Sequence, residues 1–262
     1  MFQAERISIK PIKIISFSRE KGEIKGVILA FTIIGLWAVN LVFLLSLNIS
    51  EIPAFGIAIA IFFQTFLYTG LFITAHDAIH GIVLPKNRRI NDLIGSVSAF
   101  VYGLFSYKNL TEKHWKHHHH PASELDPDFH DTRHKNFFAW YFHFMKGYWS
   151  WRRLIGLILI FNFLKGVIHV TEVNLTLFWV IPPILSSLQL FYFGTFLTHQ
   201  EPEGGYTNSH FAHSTPLPVF WSFLTCYHFG YHQEHHEYPH VPWWKLPEVY
   251  KKNAITQAAR NN

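Results

Sequence analysis

Two stretches of sequence decide the fold: VILAFTIIGLWAVNLVFLLSL, from Val27 to Leu47, and PAFGIAIAIFFQTFLYTGLFITA, from Pro53 to Ala75. Neither stretch contains a charged residue, and each is as long as the roughly 20 residues that a helix needs to cross a bilayer. Only the pentapeptide NISEI separates them, which is too short for anything but a turn. The sequence therefore predicts a transmembrane hairpin.

Three further apolar stretches follow along the chain. The stretch from Leu175 to Thr198 is uncharged and long enough to cross a bilayer, whereas that from Leu154 to Val170 is shorter and contains Lys165. The 16 residues from Ile90 to Phe105 include Asp92, which favours a re-entrant or interface-lying helix. We expect an all-α integral membrane protein with interfacial helices and about four transmembrane helices in two hairpins, at 27–47, 53–75, 154–170 and 175–198.

The composition supports a membrane protein of one domain. Of the 262 residues, 49% are hydrophobic and only 15% are charged, against roughly 25% charged residues in soluble domains. The apolar content excludes intrinsic disorder, and a single cysteine, Cys226, excludes a disulfide scaffold. A soluble bundle with four buried helices is the alternative architecture. No repeat or linker divides the chain, so we expect a single domain over residues 1–262.

The basic residues predict the orientation of the chain, because lysine and arginine near transmembrane helices are retained in the cytoplasm. Of the 22 basic residues, six lie in 1–26, eleven in 84–153 and four in 199–262, which leaves Lys165 alone. Both termini and a histidine-rich cap, at 76–153 and 199–262, are therefore expected on the cytoplasmic side. Residues 1–26 are polar and basic, so no cleavable signal peptide is expected.

The chain has 19 histidines, which is far more than average amino-acid usage would give. Eight of them form three clusters. The first cluster is an HxxxH motif, and the second and third are both HxxHH motifs. On a helix, residues three and four apart share one face, so each cluster presents converging imidazoles to a metal. His199 follows the last apolar stretch and is a ninth candidate, and His228 is a spare one. The candidate ligands are His76, His80, His114, His117, His118, His199, His232, His235 and His236.

Nine imidazoles exceed the four ligands of one tetrahedral zinc, so two metal ions are expected. Imidazole binds iron, zinc, copper and nickel alike, and the ligand type leaves the metal open. A metal site at the membrane surface is suited to the activation of O₂ against lipid C–H bonds, which favours iron. Metal-bound imidazoles usually donate their other N–H group to a carboxylate. Asp77, Asp126 and Asp128 are the candidates for this role, and ordinary solvated or capping acids are the alternative.

Other classes of function lack their sequence signals. The chain has no P-loop, Rossmann fingerprint, GxSxG or CxxC motif, and its basic residues follow the topology rather than form a nucleic-acid-binding surface. A membrane metal transporter is a further alternative, but transport calls for ionisable residues at mid-membrane. The predicted spans have no charged residue except Lys165.

The histidine clusters within two predicted hairpins resemble the membrane-bound fatty acid desaturase and hydroxylase superfamily. More specific strings are FITAHDAIHG at 72–81, KHHHHPASELDPDFH at 116–130, FYFGTFLTHQEP at 191–202 and FGYHQEHHEYPHVPWWKLP at 229–247. Together they are similar to β-carotene ketolases of bacteria and cyanobacteria, from about Thr65 to the end of the chain. The first cluster is one residue shorter than acyl desaturases usually have, which disfavours the alternative of a fatty acyl desaturase or hydroxylase.

The resemblance implies a di-iron oxygenase in a cytoplasmic or thylakoid-type membrane. It implies that carbon 4 of the β-ionone ring of β-carotene, with zeaxanthin as a further substrate, becomes a ketone by two hydroxylations and loss of water. The products would be echinenone, canthaxanthin or astaxanthin. The eight clustered histidines and His199 would bind two iron ions, with O₂ as co-substrate. The carotenoid would enter from the membrane lipid, and an external donor, ferredoxin, would supply electrons.

Overall fold

The computed structural model describes the backbone of residues 19–130, 135–206 and 208–261. The predicted cytoplasmic amino terminus and the predicted lack of a signal peptide fall largely on residues 1–18, which lie outside the described residues. The described residues form helices and connecting segments without a β-strand, as predicted. The α-helices are α1 Arg19–Leu45, α2 Ala54–Ile79, α3 Arg88–Gly103, α4 Tyr107–His119, α5 Phe137–Gly147, α6 Trp151–Gly166, α7 Glu172–Leu175, α8 Ile181–Phe191, α9 Val219–Cys226, α10 His232–Glu237 and α11 Leu246–Asn261.

The first predicted hairpin is confirmed by α1 and α2, which are joined by a single 3₁₀ turn at Ile49–Glu51. Their parts over Ile24–Leu45 and Ala54–Ile79 are long and apolar enough to cross a membrane. Large apolar side chains on the outside of the pair are exposed, as for Val39 at 70% and Phe55 at 77%. Such side chains are stable only when another apolar phase covers them, so this surface suits the hydrocarbon core of a bilayer.

The predicted span at 175–198 is present as a helical rod over Glu172–Phe196. The rod consists of α7 and α8, with π-helical turns at Thr176–Val180 and Tyr192–Phe196. Each π turn inserts a residue into the helical repeat and so changes which side chains face the neighbouring helices. The second π turn lies directly before the segment that carries His199.

The predicted span at 154–170 is shorter in the structure than expected. It corresponds to α6, a helix of 16 residues that extends about 24 Å at the usual rise per residue, against about 30 Å for a bilayer core. Within the described ranges, three helices are therefore long and apolar enough to cross a membrane. The chain is a membrane protein, and its fourth span remains a prediction.

Helix α2 is central, because α1, α3 and α8 all pack against it. On α3, every third or fourth residue from Asn91 to Tyr102 is buried, while Leu93 and Phe100 on the opposite face are 63% and 57% exposed. An exposed face of this apolarity fits the prediction of an interface-lying helix. Buried Asn91 donates a hydrogen bond to the carbonyl of Ala78 at 2.7 Å. Helix α3 is thereby fixed to the end of α2 that carries the first histidine cluster.

Candidate metal centre

Four parts of the chain bring the histidines together: the end of α2, helix α4, helix α10 and the segment after α8. The HxxHH motifs lie on α4 and α10, as the i, i+3, i+4 spacing predicts. Helix α4 begins at the cap residue Ser106, whose hydroxyl accepts a hydrogen bond from the backbone N–H of Asn109 at 3.3 Å. The structure sorts eight of the nine predicted histidines into two groups, and in each group the four ligand nitrogens lie within 4.8 Å of one another.

The first group draws on all three sequence clusters. His76 and His80 lie at the end of α2. The Nε2 atom of His76 is 3.2 Å from Nε2 of His235, and the Nε2 atom of His80 is 2.7 Å from Nε2 of His114. The first group is thus His76, His80, His114 and His235. The first sequence cluster lies wholly in this group, whereas the second and third clusters are each divided between the two groups.

The second group is buried throughout. The Nε2 atom of His236 lies 3.1 Å from that of His117 and 3.1 Å from that of His232. His199 completes this group, with its ring centroid 4.7 Å from that of His117. The second group is His117, His199, His232 and His236.

His118, the ninth predicted residue, lies between the two groups. Its Nε2 atom is 3.0 Å from that of His235 in the first group. Its ring stacks on that of His236 in the second group, with centroids 4.2 Å apart. The structure therefore brings all nine predicted histidines into one continuous cluster with two centres.

The protonation of the cluster fits metal binding. Burial lowers the pKa of His199 to about 3, so this imidazole is neutral at physiological pH. Its Nδ1–H group donates to the carbonyl of Phe211 at 2.9 Å, which leaves an unprotonated Nε2 without a hydrogen-bond partner among the described residues. Burial, with a smaller contribution from neighbouring imidazoles in most cases, also lowers the pKa of His80, His114, His118, His232, His235 and His236.

Neutral imidazoles that point bare nitrogens at one another repel, unless a cation lies between them. In each group four imidazole nitrogens converge, and imidazole is a ligand that suits first-row transition metals. The residues present therefore fit two metal ions.

Asp126 has the environment predicted for a ligand-orienting carboxylate. Both of its oxygens lie 3.0 Å from Nδ1 of His117, and it also accepts from the backbone N–H groups of Ala122 and Asp128. Burial acts to lower the pKa of His117, but the Asp126 carboxylate outweighs it and raises that pKa above its ordinary value. The contact places the proton of His117 on Nδ1 and directs Nε2 at the second group.

Asp128 and Asp77 make their closest hydrogen bonds elsewhere. Asp128 accepts from the hydroxyl of Tyr148 at 2.6 Å, and burial raises its pKa to about 6. Asp77 accepts from the backbone N–H of Trp243 at 3.2 Å, while its other oxygen is 3.5 Å from Nδ1 of His76. This last distance is longer than a good hydrogen bond. Asp77 thus fixes the segment at Trp243 against α2.

The spare candidate, His228, is not brought into either group. Its Nδ1 lies 3.2 Å from the hydroxyl of Ser222, and its ring stacks on Tyr231 with centroids 5.9 Å apart. The backbone at Tyr227 and His228 has positive φ, at 49° and 64°. This turn between α9 and α10 directs the His228 side chain away from the face that carries His232.

A cavity of about 640 Å³ leads from the histidines into the membrane-spanning helices. Imidazoles of both groups line its inner end, among them His76, His114, His117 and His232. Its walls are mostly apolar side chains of α2, α3, α6 and α8, such as Phe72, Leu157 and Leu190. An elongated apolar molecule could therefore reach the histidines without crossing water.

Several residues of the site carry no sequence signal. Glu234, within the third cluster, accepts hydrogen bonds from Ser214 and from Asn253, and so holds the six-residue helix α10 in place. Tyr148 and Arg153 line the cavity, and Arg153 donates to the carbonyl of Gly103 at 2.8 Å. These contacts join segments far apart in sequence, and no spacing rule could predict them.

Comparison with known proteins gives a consistent result. The family model described as fatty acid desaturase matches residues 50–165 and 148–260. The chain is 38% identical to a zeaxanthin 4-ketolase of Chlamydomonas reinhardtii over 87% of this chain and 54% of that protein. It is 37% identical to beta-carotene 4-ketolase 3 of Haematococcus lacustris, over 85% of this chain and 78% of that protein. A beta-carotene ketolase of Paracoccus sp. (strain PC1) is 42% identical, over 71% and 76%.

The chain spans about half the length of the Chlamydomonas relative and about three quarters of the other two. The matched region includes every histidine of the two groups.

Proposed function

Because the chain belongs to the fatty acid desaturase family, and to the β-carotene ketolases within it, we propose that it oxidises a β-ionone ring to a ketone. The substrate proposed is β-carotene, with zeaxanthin as a further substrate, and the reacting atom is carbon 4 of the ring. One observation carries the proposal: two groups of four converging imidazoles lie at the inner end of an apolar cavity.

Two iron ions, held by the two groups with His118 between them, would supply the chemistry that activates O₂ for attack on a C–H bond. The chain contributes the positions of the donor nitrogens. Asp126 holds His117 with Nε2 directed inward, and Phe211 does the same for His199 through its carbonyl. Such contacts fix the tautomer and the ring orientation of an imidazole that binds a metal.

The stoichiometry requires an external source of electrons. Each hydroxylation consumes one O₂, two electrons and two protons, and yields an alcohol and one water. A second hydroxylation at the same carbon gives a geminal diol, which loses water to form the ketone. The chain has no flavin or nicotinamide motif, so we propose a one-electron iron–sulfur protein of the ferredoxin class as donor.

The cavity would receive the carotenoid directly from the membrane lipid. Its walls on α6 and α8 include Ile158 and Ile184, which are 50% and 53% exposed. Apolar residues that belong to both a cavity wall and a lipid-facing surface suit a lateral entrance. We place the histidines and both termini on the cytoplasmic side, because the basic residues flank these segments.

The test is expression in cells that accumulate β-carotene and have no ketolase, with the extracted pigments separated by chromatography and weighed by mass spectrometry. We expect products in which CH₂ of one or both rings has become C=O. His235→Ala, produced at equal abundance, serves as the control and should leave the pigment unchanged. Unmodified pigment from the wild-type chain, with protein in the membrane and iron supplied, would reject the proposal and direct the search to acyl lipids.

A further inference from the structure

A hydrogen-bonded polar pair lies in the mostly apolar wall of the cavity, beside the histidines. Asp128 and Tyr148 both line the cavity, as do His114 and His117. The Tyr148 hydroxyl donates to a carboxylate oxygen of Asp128 at 2.6 Å. A hydrogen bond to a carboxylate at this distance is a strong one, so the pair is a fixed feature of the reactive end of the cavity.

Each member of the pair is held in place from behind. The backbone N–H of Asp128 donates to Asp126 at 2.9 Å, and its carbonyl accepts from the indole of Trp140 at 2.9 Å. The ring of Tyr148 lies against Phe144, with centroids 4.9 Å apart, and below the ammonium of Lys113 at 4.2 Å. Because Asp126 also holds His117, the pair has a defined position relative to the second histidine group.

A hydrocarbon substrate cannot use such a pair. Placing a carboxylate and a phenol at an apolar surface is unfavourable unless they gain hydrogen bonds, and an unsubstituted β-ionone ring has none to offer. A phenol that donates its only proton to Asp128 keeps lone pairs that can accept a further hydrogen bond. The pair therefore fits a ligand that carries a hydroxyl donor close to the reacting carbon.

We propose that Asp128 and Tyr148 bind the alcohol formed by the first oxidation, and this inference rests on the proposed function. The two residues would accept a hydrogen bond from the hydroxyl group of that alcohol. The alcohol is the first species in the reaction that carries a donor at carbon 4. While the alcohol is bound at the cavity wall beside His117, its carbon 4 stays at the metal centre for the second oxidation. Tyr148 and Asp128 thus decide whether the product is a ketone or an alcohol.

The same acceptors could bind a hydroxyl that the substrate already carries on the neighbouring ring carbon. Both sources present a ring hydroxyl, so the experiment needs one arm for each. The first arm uses cells that contain β-carotene alone, in which any hydroxyl at the site comes from the enzyme. The second arm uses cells that contain a carotenoid with rings already hydroxylated at that neighbouring carbon.

The variant Tyr148→Phe removes the acceptor oxygen and keeps the aromatic ring against Phe144. In the first arm we expect the ratio of ring alcohol to ring ketone to rise several-fold over the wild type. Tyr141→Phe is the matched control, since the Tyr141 hydroxyl makes a similarly short hydrogen bond, 2.7 Å, with the hydroxyl of Ser187. Tyr141 is 8% exposed and does not line the cavity, so its variant should keep the wild-type ratio.

A second measurement distinguishes a specific loss of alcohol binding from a general folding defect of the variant. The purified iron-loaded protein, kept without reductant so that no turnover occurs, is titrated with the ring alcohol or with β-carotene while tryptophan fluorescence is followed. Tyr148→Phe and Asp128→Ala should each weaken binding of the alcohol several-fold and leave binding of β-carotene unchanged. Equal weakening of both ligands would overturn the proposal, because it would mean a general packing defect.

The outcomes separate this inference from the function on which it rests. Alcohol that accumulates in the first arm supports it. Alcohol and ketone that decline in parallel contradict it, as does a variant that changes only the use of hydroxylated substrate in the second arm. A wild-type chain that makes no ketone in either arm rejects the proposed function itself.

Discussion

At the scale of single residues, the contacts behind the imidazoles are as important as the imidazoles. His117 has a carboxylate on Nδ1, and His199 has a backbone carbonyl there. Both contacts fix the tautomer, so that the bare Nε2 points into the second group. A sequence shows which residues can bind a metal, but these outer contacts decide in which direction each nitrogen points.

Asp126→Asn tests the contact behind His117. The amide keeps the size of the side chain but removes the charge, and outer partners of this kind typically contribute 10–100-fold in metal affinity or activity. We expect ketolase activity to fall by about that factor, and iron per protein to fall with it, as measured by elemental analysis. Glu124→Gln, an exposed position two residues away, should match the wild type. Full iron content in Asp126→Asn would contradict the assignment.

His199 and His228 form a matched pair of buried histidines, at 1% and 6% exposure. His199 belongs to the second group, whereas His228 contacts Ser222 outside both groups. We expect His199→Ala to abolish ketone formation and reduce bound iron, and His228→Ala to retain both. Pigment analysis and elemental analysis of equal amounts of the two variants make the comparison. Wild-type ketone formation and iron content in His199→Ala, or loss of activity in His228→Ala, would mean that the site has been misassigned.

At the scale of helices, close packing of α3 on α2 positions two histidine clusters at once. Gly95 lies where a Cβ atom would come 2.4 Å from the ring of Tyr107 and 2.6 Å from Cβ of Ala78. Tyr107 begins α4, which carries the second cluster, and Ala78 lies between the histidines of the first. The absence of a side chain at Gly95 therefore allows α2, α3 and α4 to meet.

Gly95→Ala should destabilise the protein. Replacing a helical glycine by alanine normally stabilises a helix by about 0.5–1 kcal/mol, but overpacking a filled interface costs about 1–3 kcal/mol. The second effect is the larger one at Gly95, and we expect a lower midpoint of thermal unfolding in detergent together with reduced iron. Gly35→Ala is the control, because no atom lies within 4 Å of a Cβ placed there. An unchanged midpoint for Gly95→Ala would show that the interface can relax.

At the scale of the whole molecule, the arrangement is an apolar helical base with the metal centre at one end. The apolar surface of α1 and α2 suits lipid, whereas the histidine groups lie at the end of α2 opposite the short loop at Ile49–Glu51. The cavity connects these two environments. For the proposed function, such an arrangement would let a water-insoluble substrate meet a metal that is reduced from the aqueous side.

Cysteine labelling tests the orientation. Cys226 is fully buried, so the wild-type chain should react little with a membrane-impermeant maleimide. Ser50→Cys, in the loop between α1 and α2, should be labelled from outside intact cells. Lys116→Cys, exposed on α4, should be labelled only after the membrane is opened. Labelling of both variants from the same side would reject the predicted topology.

The sequence by itself determined the membrane hairpin and the identity of the nine clustered histidines. Uncharged runs such as 27–47 and 53–75 are long enough to cross a bilayer, and i, i+3 and i+4 spacing places the imidazoles of the three clusters on one helix face whatever surrounds them. His199 directly follows another uncharged run. Both signals are local, because they depend only on residues within a few turns of one another. They could therefore be read without knowledge of the rest of the fold.

Only the tertiary structure decided how those histidines are divided. His114 and His117 are one turn apart on α4, yet His114 meets His76 and His80 of α2, whereas His117 meets His199, His232 and His236. The exclusion of His228 and the Asp128–Tyr148 pair were likewise beyond prediction. Both depend on the conformation of segments that join the helices, and that conformation is fixed only when the helices pack together.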